Sequence, residues 1–134
     1  MSYRVNLYLI MESNPKNVFG QELKSCSIDP LTGFYRDGCC TTGEEDTGLH
    51  LVCIVANSDF LAFSKQKGND LSTPRPYYQF AGVKPGDRWC LCAMRWVEAY
   101  QEGMAPMVVL EATNQAVLKM IPFETLLEYK FTEN

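Results

Sequence analysis

The chain has a single histidine, His50, and no apolar run near the ~18 residues that a membrane-spanning helix requires. It also lacks an excess of positive charge: 12 Lys and Arg face 16 Asp and Glu, a net charge of −4. The basic residues are scattered rather than gathered into a footprint for a phosphate backbone. Neither nucleic acid nor a membrane is therefore an expected partner. Met1 to Asn6 carries one arginine followed by polar breaks, without the apolar core or small-residue cleavage site of a secretory signal. No metal-binding or catalytic spacing is complete. No pair of cysteines is separated by two to four residues, and no calcium loop follows Glu44-Glu45-Asp46.

Apart from these absences, the composition is ordinary. The 134 residues suit one domain, and 46% hydrophobic with 21% charged content supports one core without staples. The six cysteines fall below the ~8–10% of a secreted disulfide scaffold. Cys39 and Cys40 are neighbours, which cannot bridge each other without strain. The expectation is a cytoplasmic chain with reduced cysteines.

Several segments have a readable period. Val5, Leu7, Leu9 and Met11 alternate with more polar positions, as on a half-buried strand. Residues 25–48 are dense in turn makers (Asp29-Pro30, Thr32-Gly33, Asp37-Gly38) and form a long functional loop. Leu49 to Ala56 reads as a core strand. Asn57 or Ser58 caps a helix to about Lys67, and Gly68 stops it. Asn69 to Gly86, with three prolines, is irregular. Arg88 to Met94 is a second strand, Arg95 to Glu102 a helix and Met107 to Ala112 a third strand. Ala116 to Ile121 reads as a further strand, and Pro122 opens a closing helix through Lys130. The order predicts a single α+β domain: one mixed or mainly antiparallel sheet with about three helices packed on it. The rival is an α/β arrangement with parallel central strands.

Five of the six cysteines and the histidine lie in or beside Arg36-Asp37-Gly38-Cys39-Cys40, His50-Leu51-Val52-Cys53 and Asp87-Arg88-Trp89-Cys90-Leu91-Cys92. Cys53, inside an apolar run, reads as a small core residue. Cys90 and Cys92 share one strand face, too far apart to bridge comfortably, and also read as core residues. Cys39 and Cys40 sit in a loop behind Arg36, whose charge favours a thiolate. They are the candidate catalytic thiols, with His50 as base and Asp37, Asp46 or Asp87 to orient it. Arg36, Asp37, Asn69, Asp70, Asp87 and Arg88 are candidate ligand-binding residues, with Arg88 placed to hold an anion. Zinc on Cys39 or Cys40, His50, Cys90 and Cys92 is an alternative with poor chelate spacing, so no metal ligand is assigned and no cofactor is required.

Asn17-Val18-Phe19-Gly20, Cys26 to Cys40, Gly68-Asn69-Asp70-Leu71-Ser72-Thr73-Pro74 and Lys84-Pro85-Gly86-Asp87-Arg88-Trp89-Cys90-Leu91-Cys92-Ala93 together resemble a family of small, mostly microbial proteins, domain of unknown function 2237. The resemblance covers residues 17–134 as one domain and leaves 1–16 as an N-terminal extension, expected to be a strand. It implies a compact cytoplasmic protein and brings no reaction, cofactor or partner. It also implies a histidine in an Ala-Thr-His string where this chain has Asn114. The leading expectation is a pocket for a small anionic or polar ligand, or an enzymatic site, built on thiol, imidazole and arginine. The alternative is an interaction or structural module with an aromatic patch of Phe34, Tyr35, Tyr77, Tyr78 and Phe80.

Overall fold

The computed structural model describes residues 14–133, so the strand expected over Val5 to Met11 lies outside the described residues. Strand β1 spans His50–Val55, the apolar run. It lies at the centre of a three-stranded antiparallel sheet of order β2-β1-β3, with β2 at Arg88–Cys92 and β3 at Met107–Val108. Both pairings are antiparallel, which overturns the parallel rival and supports the α+β class.

Helix α1, Ser58–Gln66, follows β1 directly. Asn57 caps it, its Oδ1 accepting the Phe60 N–H at 2.7 Å. Helix α2, Ala93–Gln101, starts with no loop after β2. Helix α3, Phe123–Glu128, follows Pro122 at its N-cap. No helix among the described residues is long and apolar enough to cross a membrane.

The two sheet faces bury different chemistry. Val52, Ile54, Trp89 and Leu91 belong to one hydrocarbon core with Phe60 and Leu61 of α1, Trp96 and Ala99 of α2, and Leu126 of α3. Trp96 is fully buried and donates its indole N–H to the Pro106 carbonyl at 3.1 Å. A second cluster holds Cys26, Cys40, Cys53 and Cys90 with Val109 and Ala112. Its sulfurs are paired as disulfides, Cys26–Cys53 and Cys40–Cys90.

The expectation of reduced cysteines is therefore corrected. Adjacency of Cys39 and Cys40 excludes only their mutual bridge. Folding carries Cys40 to Cys90, 50 residues away, with Cα atoms 5.3 Å apart. Cys53 and Cys90 are small and buried as expected, but they are bonded, and only Cys39 and Cys92 are free among the described cysteines. The cysteine state thus lends no support to a cytoplasmic location.

One expected strand is cut short and another is not a strand. Past Val108 the apolar run turns into a 3₁₀ segment at Leu110–Ala112, and Gln115–Lys119 is a second 3₁₀ segment. Val117 and Ile121 are buried but Lys119 between them is exposed, whereas an alternating strand would put all three on one face. Asn114 starts that segment by accepting the Ala116 N–H at 2.9 Å.

Opening a disulfide by replacing both partners with Ala relaxes a loop of 27 or 50 residues in the unfolded chain. The chain-entropy relation puts this at about 3–4 kcal/mol each. Urea unfolding of the Cys26→Ala/Cys53→Ala variant is expected to show a loss of that size, and an unchanged midpoint would contradict it.

Candidate functional site

The loop of residues 41–49 enters β1 through a turn with a strained residue. Leu49 has φ +53°, a region leucine rarely adopts. Its carbonyl accepts the N–H groups of Leu51 at 2.8 Å and Ala93 at 3.0 Å, fastening the start of β1 to the start of α2. Holding such a residue costs about 1–3 kcal/mol, and such strain clusters at functional sites.

The turn brings His50 back onto Asp46. The Asp46 carboxylate is buried; its Oδ2 accepts the His50 backbone N–H at 2.9 Å, and its Oδ1 lies 2.6 Å from His50 Nδ1. Burial pushes the Asp46 carboxyl up, but the backbone and ring of His50, with a smaller contribution from Thr42, outweigh it and hold the group below the usual range. The Thr42 hydroxyl is itself buried without a hydrogen bond of ordinary geometry. With Nδ1–H donated to the carboxylate, Nε2 of a neutral ring is the acceptor. The Phe34 ring lies 5.9 Å from the imidazole. A Cβ at Gly48 would sit 2.9 Å from His50 Cε1, so a side chain there would displace the imidazole.

Directly across the β1–β2 ladder, His50 is paired with Cys92. Opposed residues of an antiparallel pair present their side chains on one face, with Cβ atoms about 4.5–5.5 Å apart. The ladder is irregular between His50 and Val52. That bulge keeps His50 beside Cys92 while Val52 stays paired with Leu91. Cys92 is a free, half-buried thiol and is also the N-cap of α2, with no side-chain cap bond. It borders a shallow cleft of about 370 Å³ with Met94, Arg95, Val97, Glu98 and Gln101. The Asp46 carboxylate and the His50 imidazole are thus in contact, and Cys92 is the residue opposite His50 in the ladder, with no hydrogen bond between the imidazole and the thiol.

The residues singled out from sequence are scattered among other tasks. Cys40 is fully buried and disulfide-bonded, so it has no free thiol. Cys39 is free, but burial and the Asp37 charge push its thiol up, opposite to the activation expected from Arg36. Arg36 turns away, donating to the Gly33 carbonyl at 2.7 Å and lying over the Trp89 ring. Asp37 accepts the Cys39 N–H at 3.1 Å. Asp70 accepts Ser72 N, Thr73 N and Thr73 Oγ1, which makes it a turn former. The Asn69 carbonyl accepts the Ser64 hydroxyl at 2.7 Å behind α1. Asp87 closes a turn on Lys84 N at 2.8 Å. Arg88 pairs with Glu133 at 2.7 Å and lies over Phe131. Arg36, Asp37 and Arg88 line three different clefts, so they do not converge on one anion.

A family model described as "Uncharacterized protein conserved in bacteria (DUF2237)" matches residues 16–130. The chain belongs to this family. No curated protein matches it. In this DUF2237 chain, Asn114 stands where the resemblance implied a histidine, and it is a structural link. Its amide donates to the Cys40 carbonyl at 3.0 Å while its oxygen caps Ala116.

The sequence of this DUF2237 chain does not reveal that Cys92 lies opposite His50 in the ladder. The available signal was its position at the end of an apolar strand and immediately before a helix. Which strand it faces, and in which register, is set by contacts distant in sequence.

The Asp46 interaction sets an acid limit. A carboxyl with a lowered pKa in the folded state stabilises the fold above its unfolded pKa, ordinarily near 3.9. That contribution is lost as pH falls through the lower folded value. Asp46→Asn is expected to cost about 1–3 kcal/mol at neutral pH, the range for leaving buried hydrogen-bond partners poorly matched. The gap to wild type should narrow below about pH 4, where the carboxyl of the unfolded chain takes a proton, and close as pH falls through the lower folded value. Urea midpoints measured from pH 7 to pH 2 check this, and a gap independent of pH would refute it.

Proposed function

We propose that the protein is a thiol-nucleophile enzyme acting on a small electrophilic substrate, with Cys92 as nucleophile, His50 as base and Asp46 as the group that orients the imidazole. The observation that carries this reading is the pairing of His50 with Cys92 across β1 and β2, with Nδ1 already committed to a buried carboxylate. Nε2 takes the Cys92 thiol proton, and sulfur attacks the electrophilic atom to form a covalent adduct. The leaving group departs with the proton returned by His50. Arg95 borders the same cleft and takes the place of Arg88; it pairs with Glu98 at 3.3 Å and donates to the Lys67 carbonyl at 3.1 Å, so an anionic part of the substrate would displace Glu98.

The second reading is an interaction module. Tyr77 and Tyr78 are 91% and 75% exposed, and Ile28, Leu31, Tyr35 and Phe34 are exposed too. Tyr78, Ile28, Leu31 and Phe80 line a cleft of about 620 Å³ that carries Arg36 but neither His50 nor Cys92.

Alkylation of native protein by iodoacetamide, mapped by mass spectrometry across pH, separates the two readings. Cys92 is expected to label about 10-fold or more faster than Cys39, and His50→Ala to slow Cys92 by a similar factor. Equal, slow labelling of both thiols, unchanged in His50→Ala, would refute the enzymatic reading and leave the interaction module.

A further inference from the structure

The two disulfides form one sulfur cluster. The Sγ atoms of Cys26, Cys40 and Cys90 all lie within 4.8 Å of one another, although Cys26 is bonded outside that set. Its partner Cys53 lies opposite Cys90 in the β1–β2 ladder, on the same sheet face. All four residues are 4% exposed or less.

Their positions do not depend only on sulfur–sulfur bonds. Cys53 and Cys90 are set by the ladder, and their N–H groups donate to Thr113 Oγ1 at 3.1 Å and Thr32 Oγ1 at 2.8 Å. The Cys26 N–H donates to the Gly38 carbonyl at 2.7 Å. The Cys40 carbonyl accepts from Asn114 at 3.0 Å. Reducing both bridges therefore leaves four buried thiols, two on paired strands and two on loops.

From this juxtaposition we infer that Cys26, Cys40, Cys53 and Cys90 in their reduced state form a tetrahedral thiolate site for a soft divalent cation, zinc above all. Zinc–sulfur bonds of about 2.3 Å put the sulfurs of a tetrahedral site about 3.8 Å apart. For Cys26, Cys40 and Cys90 that separation falls inside the 4.8 Å envelope, while the Cys53 sulfur lies outside that group, bonded to that of Cys26, and moves in as its bond opens. Each disulfide takes two electrons, so two equivalents of a dithiol reductant convert both bridges to four thiols. The cation then displaces four protons as four metal–sulfur bonds form. The donor set is all sulfur and excludes harder cations such as calcium and magnesium. The site uses neither His50 nor Cys92, so it stands independently of the thiol-nucleophile reading.

The test uses the full chain, unfolded in excess phosphine reductant and refolded without oxygen in the presence of cobalt(II). One cobalt per chain is expected, with the intense visible and near-ultraviolet bands of tetrahedral thiolate coordination and stoichiometric displacement by zinc. The Cys39→Ser/Cys92→Ser variant is expected to keep that spectrum, and Cys53→Ser to lose it. A reduced chain that refolds by circular dichroism but binds no cobalt would overturn the site. So would a cobalt spectrum lost in Cys39→Ser/Cys92→Ser, or a reduced chain that does not refold even with the metal.

Discussion

The register of β1 on β2 governs everything else in this molecule. It sets Cys53 opposite Cys90, Val52 opposite Leu91 and His50 opposite Cys92. A slip of one residue would send every side chain of one strand to the other face. Sulfur would then enter the hydrocarbon core, and Val52 and Ile54 would face the loops. What pins the register is the contrast between the two faces. One is lined by bulky apolar groups that fit α1 and α2, the other by cysteines that fit beneath an irregular layer.

That irregular layer is built without ladders. Its backbone groups need partners once buried, and short polar side chains supply them. Thr32 accepts from Cys90, and Thr113 accepts from Cys53 while donating to the Val109 carbonyl at 2.8 Å. Asn17, fully buried, accepts from Phe19 and Gln21 and donates to the Glu111 carbonyl at 3.1 Å. Each such residue ties a loop to a neighbour that a strand would otherwise have bonded. The disulfides add covalent links where the apolar area is smallest.

Local chemistry was legible in the sequence and long-range pairing was not. The apolar run of β1, the Asn57 cap and the stop at Gly68 each rest on a few adjacent residues, and the structure places them within a residue or two of the expectation. The stretch from Met107 to Ile121 misled because apolar residues crowd it. A buried strand and a buried 3₁₀ turn look alike there until Lys119, exposed between the buried Val117 and Ile121, is weighed. Cysteine pairing lay further out of reach, since six thiols admit many connectivities and spacing favours none. Cys92 was hidden for the same reason: its neighbours in sequence are Leu91 and Ala93, but its chemical neighbour is His50.

The division of labour among the sulfurs follows from burial and from what each can reach. Cys26, Cys40, Cys53 and Cys90 are buried and bonded to one another in pairs. Cys39 is partly exposed but faces Asp37, whose charge opposes a thiolate. Cys92 alone combines access with an imidazole across the ladder and the N-terminus of a nine-residue helix, the end that favours negative charge. The strain at Leu49 belongs to the same design. A relaxed turn at that position would release the start of β1 from α2 and let His50 leave Asp46. The unfavourable backbone there is offset by the two N–H groups, of Leu51 and Ala93, that the Leu49 carbonyl accepts.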